Sequence, residues 1–343
     1  MQHEIHEPLP LLRSDGRLTE PGWARQPFWR YRRAAVHAAS WRIKEWDYYA
    51  VVSPEGYGFA LTASNLGYAG LYAVCFIDLQ QRRFWQLDRL QALPLSRHAL
   101  PESPLEGEIR FAHERLSLHI QRFEGVHRLT FVSPYMQGPG GRGLNGELYF
   151  RQPAHQESMN IATHWAHNSR QFYYNTKLNC LPVEGEVRLA GKRYAFSPAR
   201  DLGCLDWGRG VWPWRSTWYW ASASGFVEGE PLGLNFGYGF SDRTPASENL
   251  LLYRGRAHKL GQVRFAFDPR HWLKPWKISS DDGRVELEFV PALDRNSHFN
   301  VLLIASEQHQ VFGHYRGRVT LDNGQVLQLS HLPGFAEEVR NRW

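Results

Sequence analysis

The densest group of residues with chemical potential is the run of residues 206–220, called the tryptophan run below. It holds five of the fourteen tryptophans, together with Asp206 and Arg209. A carboxyl group against an indole wall loses hydration, which raises its pKa and suits a general acid. A nearby guanidinium keeps such a carboxyl ionised, and indole faces stabilise a developing cation. The run therefore predicts an acid at Asp206 with Arg209 setting its charge. The alternative is a structural ion pair between the two.

Glycine and side-chain alternation predict how the tryptophan run is folded. Gly208 and Gly210 permit the backbone angles of a loop, so residues 206–210 are predicted as a loop. From Trp214 onward the residues alternate as in a strand, with Trp214, Ser216, Trp218 and Trp220 on one face. The tryptophans predicted to line a ligand pocket are Trp207, Trp212, Trp214, Trp218 and Trp220.

A second proton-transfer group is expected near residues 42–49. On a strand, Glu45 and Asp47 share one face, and Trp46 and Tyr48 share the other. Glu45 is therefore a candidate acid or base, and Trp46 and Tyr48 are candidate ligand contacts. A charged outer face with local salt bridges is the alternative.

Histidine offers another candidate for proton transfer. His164 follows a strand-like segment and is adjacent to Trp165, which we include among the ligand-binding residues. His155, His164 and His167 have neither the H-E-x-x-H spacing nor a cysteine pair, so no metal site is predicted.

In the segment of residues 232–240, glycine occupies three of the four alternate positions from 233 to 239, and Asn235 occupies the fourth. Gly233, Asn235, Gly237 and Gly239 share one strand face, and the apolar residues share the other. Glycines inside a strand indicate close approach by a backbone, a ring or a ligand. We therefore add Asn235 and, from the apolar face, Tyr238 to the predicted ligand contacts, with tight packing as the alternative.

Turn signals at short intervals predict an all-β fold with few short helices. The strongest hairpin signal is Asp322-Asn323-Gly324, and residues 138–146 form a glycine-rich segment predicted as a loop. One short helix is predicted over residues 335–340. A chain of 343 residues exceeds one core, so two β-domains are predicted, residues 1–197 and 198–343.

Composition restricts the class of protein. The net charge is +6 with mixed signs along the chain, and no nucleic-acid-binding motif is present, so no nucleic-acid partner is expected. Three dispersed cysteines, no apolar leader and no apolar run of spanning length predict a cytoplasmic protein. The ring- and arginine-rich residues 28–33 are the one segment that suggests peripheral contact with an anionic membrane.

The sequence resembles the bacterial domain-of-unknown-function family 2804 along nearly its whole length. The matching blocks are residues 11–23, 42–49, 66–70, 157–160, 177–182, 206–220, 233–240, 248–249, 258–260 and 335–338. That family is similar, remotely, to the lipocalin-like group of carotenoid 1,2-hydratase, tocopherol cyclase and Diels–Alder cyclases. The resemblance implies two lipocalin-like (calycin) antiparallel barrel or sandwich domains and a pocket for an apolar molecule, without a cofactor.

Two functions remain open at this stage. The first is a cofactor-independent hydratase, cyclase or isomerase acting on an apolar or amphipathic small molecule in an aromatic pocket. The second is a non-catalytic carrier of a lipid, polyene or glycolipid. The first requires an acid with a cavity beside it, whereas the second requires only apolar and aromatic walls.

Overall fold

The regular structure of the chain is almost entirely β-sheet. The computed structural model describes residues 2–92, 100–301 and 304–342. It contains 67% strand and 2% helix, which confirms the all-β prediction. Helix in the described ranges is limited to two single 3₁₀ turns, Arg33–Ala35 and Ser40–Arg42. No helix in these ranges is long and apolar enough to cross a bilayer.

The strands fall into two groups along the chain. Up to residue 211 they are β1 (Leu9–Pro10), β2 (Gly22–Ala24), β3 (Trp29–Arg30), β4 (Ile43–Val52), β5 (Tyr57–Asn65), β6 (Ala69–Asp78), β7 (Arg83–Ala92), β8 (Gly107–His113), β9 (Leu116–Phe123), β10 (Val126–Gly138), β11 (Gly141–Arg151), β12 (Met159–Trp165), β13 (Asn168–Leu189), β14 (Lys192–Phe196) and β15 (Leu202–Val211). After it they are β16 (Arg215–Val227), β17 (Glu230–Tyr238), β18 (Leu250–Tyr253), β19 (Arg256–Lys259), β20 (Val263–Ala266), β21 (Trp276–Ser280), β22 (Val285–Val301), β23 (Ile304–Thr320) and β24 (Val326–Arg342).

These strands build two curled antiparallel half-barrels. The first sheet has the order β7-β6-β5-β4-β15-β13-β11-β10-β9-β8, with β12 and β14 on β13 and β2 on β12. The second has the order β19-β18-β17-β16-β24-β23-β22-β21-β20. A short parallel pair, β1 and β3, stands apart. The chain changes sheet after Val211, and the predicted domain division at residues 197 and 198 stays a prediction.

The strands between the two sheets bury both of their faces. In β4, Tyr49 and Val51 belong to the core inside the first half-barrel. Their neighbours Tyr48 and Ala50 pack instead with Trp220 of the second sheet. Because alternate residues of a strand point to opposite faces, the two half-barrels share an inter-sheet layer built from their facing surfaces. Any group on this layer is buried by two sheets at once.

Three local predictions were wrong, and sheet pairing explains each. Residues 206–210 lie inside strand β15, which hydrogen-bonds to β4 and β13. Residues 335–340, predicted as a helix, lie in β24 between β16 and β23. Residues 138–146 are the tip and one arm of the β10–β11 hairpin. Pairing with neighbouring strands outweighed weak local preferences in all three. The hairpin predicted at residues 322–324 is confirmed between β23 and β24.

Candidate functional site

A buried ion pair in the inter-sheet layer holds Asp206. Lys177 of β13 stands directly opposite Asp206 of β15 in the strand register. The Lys177 Nζ atom lies 2.8 Å from Asp206 Oδ2, and both side chains are at most one-tenth exposed. With its amide oriented by its hydrogen-bond partners, Asn175 donates to Asp206 Oδ1 at 2.9 Å. The charge partner of Asp206 is therefore a lysine from the neighbouring strand.

Arg209 lies on the other side of the same strand. Residues three apart on a strand point to opposite faces, so Arg209 enters the first half-barrel. Its Nη2 donates to Asp47 Oδ1 at 2.8 Å, and its guanidinium stacks 4.0 Å from the Trp207 ring centroid. The structure does not bring Arg209 to Asp206, either as the partner that sets its charge or as a structural ion pair.

The second sheet covers the Lys177–Asp206 pair with an indole. The Lys177 Nζ atom lies 3.9 Å from the Trp220 ring centroid, a cation–π contact. The Trp220 Nε1–H donates to Asn235 Oδ1 at 2.8 Å, which fixes the orientation of the ring. Of the predicted ligand contacts, Trp220 therefore covers Lys177, and Asn235 holds the Trp220 ring in place.

Glu337 is the second carboxyl group on this face. It pairs with Trp220 in the register of β16 and β24. Trp218 Nε1–H donates to Glu337 Oε1 at 3.1 Å, and Gln310 Nε2–H donates to Oε2 at 2.9 Å. The Tyr48 hydroxyl donates to Gln310 Oε1 at 3.1 Å. Burial raises the pKa of Glu337 above its usual range, opposed by the hydrogen bond from Trp218.

Glu248 is the third carboxyl group and has the least compensation. It lies in the connection between β17 and β18 and is 2% exposed. Its Oε2 is buried without a hydrogen-bond partner in the described part of the chain. Burial raises the pKa of Glu248 to about 7, opposed by the charge of Lys177 and reinforced by that of Asp206. Glu248 is therefore partly protonated at neutral pH. Lys177, Asp206, Glu248 and Glu337 are called the carboxyl cluster below.

The glycine face of β17 leaves room for the side chains of Glu248 and Asn179. A Cβ atom on Gly237 would lie 1.6 Å from Glu248 Oε1, and one on Gly233 would lie 2.7 Å from the Asn179 Cβ. The Asn235 amide donates to the backbone carbonyl of Glu248 at 2.6 Å. The close approach predicted from the glycines is thus made by the chain's own side chains, and it fixes Glu248 against the strand.

An aromatic layer adjoins the carboxyl cluster. Trp212 is its centre, with ring centroids 5.0 Å from Trp165, 5.4 Å from Trp218, 5.6 Å from Trp46 and 5.7 Å from Phe240. These five residues are called the aromatic layer below. Trp218 joins the layer to the cluster through its bond to Glu337.

The position of Trp46 explains a glycine of the tryptophan run. A Cβ atom on Gly208 would lie 2.2 Å from the Trp46 ring. Gly208 is therefore required by a ring from β4 that crosses the strand, and it does not mark a loop.

A surface cleft lies on the far side of the aromatic layer. It encloses about 490 Å³ and is lined by Trp165 and Phe240 together with the ends of β16, β23 and β24. Ser216 and Asn341 line it and share a strand face with Trp220 and Glu337. A rise of about 3.3 Å per residue puts Asn341 roughly 13 Å from Glu337 along β24. The cleft and the carboxyl cluster lie on one face of the β16–β24 pair with Trp218 between them, and none of the cluster residues lines the cleft.

The remaining predicted residues lie elsewhere. Glu45 is inside the first half-barrel, 2.7 Å from the Arg33 guanidinium and accepting a bond from Tyr31. Trp207 faces the same interior. His164 is half-buried, with Nδ1 3.2 Å from the Trp165 carbonyl.

Two predicted ligand contacts lie away from both the cleft and the carboxyl cluster. Tyr238 packs inside the second half-barrel, stacked 4.6 Å from Tyr219. Trp214 lies in the short connection between the sheets, just before β16 begins.

Three of the four cluster residues were missed as site residues. Lys177 and Glu248 stood in the matching sequence blocks without a chemical reason, and Glu337 lay in a segment predicted as helix. One signal was available: the glycine at position 237 predicted a close neighbour, and that neighbour is Glu248. Among the described residues, no group of three or more His, Cys, Asp or Glu side chains is arranged to hold a metal ion.

Comparison with known proteins gives a family and a fold. The model of a domain of unknown function (DUF2804) matches residues 2–343. None of the curated proteins matches the sequence significantly. A solved structure described as a candidate AttH from Nitrosomonas europaea aligns over 87% of this chain and 92% of its own, at 15% identity and a TM-score of 0.51.

Two further solved structures are similar over 88% of both chains, at lower TM-scores. They are kievitone hydratase from Nectria haematococca, at 11% identity and a TM-score of 0.48, and CghA with Sch210972, at 9% and 0.47. At these identities, the likeness to solved structures concerns the fold.

Proposed function

The chain belongs to the family described as a domain of unknown function (DUF2804), and we propose that it is an acid–base enzyme of the hydratase, cyclase or isomerase type. Its substrate is an apolar or amphipathic small molecule. One observation carries the proposal: Glu248 is a buried carboxyl group with an unpartnered oxygen and a pKa near 7, beside an ion-paired carboxylate. A pKa near the operating pH is what general acid catalysis requires.

The cluster divides naturally into an acid and a base. Glu248 is the proton donor because burial favours its neutral form. Asp206 is the proton acceptor because Lys177 and Asn175 hold its charge in place. Two neighbouring carboxyl groups in different surroundings, one buried without a cation and one ion-paired, can supply both roles in one site.

A hydration would use these groups in one cycle. The Glu248 proton goes to one carbon of a C=C bond, and positive charge develops on the other carbon beside the Trp218 ring. Water attacks that carbon and gives its proton to Asp206, and transfer of this proton to Glu248 restores both groups. Cyclisation or isomerisation uses the same first step and loses a proton from carbon instead. All three reactions require proton transfer and no electron transfer.

The lining of the cleft supports an enzyme more than a carrier. A carrier requires only apolar and aromatic walls, whereas the cleft also presents Ser216, Glu307 and Asn341. Three acidic side chains buried between two sheets lower stability, which a carrier has no reason to retain.

Three free, buried cysteines support a reducing, cytoplasmic location.

The segment proposed for membrane contact is largely enclosed. Trp29 and Tyr31 are each 2% exposed. Arg33 is paired with Glu45. Within this segment Arg30 and Arg32 remain exposed, but Arg32 is paired with Glu102 at 2.9 Å, so a peripheral membrane contact would rest mainly on Arg30.

The test follows oxygen and hydrogen from labelled water. The protein is incubated with a fractionated extract of apolar metabolites in H₂¹⁸O and separately in D₂O, and products are identified by mass spectrometry. A hydratase product carries ¹⁸O, and a cyclase or isomerase product carries deuterium on carbon. Glu248→Gln should reduce the rate by roughly 10²–10⁴-fold, the usual contribution of a general acid.

Glu228→Gln is the matched control, since it makes the same change at an exposed turn residue and should keep full activity. Turnover that survives Glu248→Gln undiminished would refute the acid assignment. A compound that co-purifies and is returned unchanged by the unsubstituted protein, with no label in any product, would favour the carrier.

A further inference from the structure

The surface cleft carries an excess of positive charge. Arg215, Arg340 and Arg342 line the cleft together with Glu307. Arg215 and Arg342 are directly opposite each other in the register of β16 and β24. Like charges in that position repel, so the pair is stable only where solvent or an anion separates them.

The three arginines differ in the ion pairs and hydrogen bonds that they make to the rest of the chain. Arg340 is 2.6 Å from Glu338 Oε1, and Arg342 donates to Asn300 Oδ1 at 3.2 Å. Arg215 makes no hydrogen bond or ion pair to the described residues. Glu307 of the lining and Glu338, which pairs with Arg340 but does not line the cleft, offset two of the three cations, so the local formal charge is +1 with His298 neutral. This charge matches a single monoanion better than a dianion.

Two polar side chains at the floor of the cleft also lack partners. Asn341 is 8% exposed, and its Oδ1 is buried without a hydrogen-bond partner in the described ranges. The Ser216 hydroxyl oxygen on the adjacent strand is likewise buried and unpartnered there. The Ser216 hydroxyl can donate to a bound anion, which relieves the cost of leaving it unpartnered, whereas Asn341 Oδ1 accepts and requires a donor such as water.

From this arrangement we propose that the cleft binds the carboxylate of an amphipathic monocarboxylic acid. The carboxylate pairs with Arg215, whose planar fork matches it, and accepts hydrogen bonds from the Ser216 hydroxyl and the Asn341 Nδ2–H group. The apolar part of the molecule lies on Trp165 and Phe240 and extends toward the carboxyl cluster. This inference rests on the proposed function and assigns its substrate class: a long-chain or polycyclic carboxylic acid with its reactive carbons remote from the carboxylate.

The test compares three ligands that share a tail and differ in headgroup. Isothermal titration calorimetry with dodecanoate, dodecyl phosphate and 1-dodecanol should show dodecanoate binding about 10-fold or more tightly than 1-dodecanol, the range expected for a charge-assisted bidentate contact. Arg215→Gln should remove that preference while leaving 1-dodecanol binding unchanged. Arg264→Gln, the same change at an exposed residue of β20 outside the cleft, should keep it.

Each outcome decides between the two levels of the proposal. Equal binding of dodecanoate and 1-dodecanol, or a preference that survives Arg215→Gln, overturns the carboxylate site and leaves the acid–base function standing. A stronger, Arg215-dependent preference for dodecyl phosphate overturns the choice of carboxylate. Binding of dodecanoate that persists in Glu248→Gln, together with loss of turnover in that variant, supports both levels. Failure of all three ligands to bind overturns the inference, while the labelled-water experiment still tests the function separately.

Discussion

Two buried charge clusters lie on opposite faces of the same strands, and their composition differs. Inside the first half-barrel, Asp47 accepts bonds from Arg122 at 2.5 Å and from Arg209 at 2.8 Å, so one carboxylate has two cations. In the inter-sheet layer the carboxyl groups outnumber the cations. Lys177 pairs with Asp206, whereas Glu248 and Glu337 have no ion-pair partner among the described residues.

This contrast separates a structural charge from a chemical one. A buried carboxylate between two guanidiniums has its charge fully compensated, and its role is to hold strands together. A buried carboxyl group without a cation favours its neutral form, so it becomes a proton donor near neutral pH. The tryptophan run contributes to both clusters, since Arg209 and Asp206 point in opposite directions from one strand.

The largest effect is expected from removing the structural carboxylate. Asp47→Asn leaves Arg122 and Arg209 buried without a counter-charge, which should lower the free energy of unfolding by about 3–5 kcal/mol. Glu248→Gln makes the same chemical change in the other cluster and should alter stability by less than about 1 kcal/mol at about pH 4, because Glu248 is then mostly neutral in both the folded and the unfolded chain. Urea unfolding of the two variants measures the difference, and equal losses would erase the distinction between the clusters.

The pH dependence of stability should show the second cluster directly. Burial raises the pKa of Glu248 from 4.5 to about 7. A carboxyl group whose folded pKa is raised stabilises the fold fully below its unfolded pKa, and this stabilisation is lost as pH rises to the folded pKa. Between pH 4.5 and 7 the loss is on the order of 3 kcal/mol, at 1.36 kcal/mol for each unit of pKa.

The measurement is the difference in unfolding free energy between the unsubstituted protein and Glu248→Gln across that window. Glu248→Gln should become relatively more stable as pH rises and should level off above pH 7. Subtracting the two curves cancels other titrating groups. A difference that is flat from pH 4.5 to 7 would mean that Glu248 titrates normally and is not the acid.

The sequence contained much of this arrangement, and strand alternation was the informative part. Ser216, Trp218 and Trp220 do share a face, and so do Gly233, Asn235 and Gly237, because a strand repeats every two residues. The same rule separates Asp206 from Arg209 once strand β15 extends over both. The glycines at 208 and 210 concealed that strand by suggesting a loop, although Gly208 is small because Trp46 crosses it.

The carboxyl cluster could not be predicted from local sequence patterns. Lys177 and Asp206 meet because β13 pairs with β15, and Glu337 reaches them because the outer faces of two sheets pack together. Alternation assigns a residue to a face but does not say which faces of distant strands will meet. Glu248 lies in an irregular connection, where no periodic pattern applies.

The smallest of the three effects tests how Glu248 is held. Gly237→Ala introduces a Cβ atom 1.6 Å from Glu248 Oε1, so the carboxyl group must move away from the strand. Overpacking of this kind should lower the free energy of unfolding by about 1–3 kcal/mol. It should also reduce the pH-dependent part between pH 4.5 and 7, because a displaced carboxyl group regains water. Gly141→Ala is the control, since its Cβ atom would meet its nearest neighbour at 3.5 Å, an ordinary contact. If Gly237→Ala lowers stability but leaves the pH dependence intact, the neutral form of Glu248 is due to burial in the inter-sheet layer as a whole and not to its contact with Gly237 of β17.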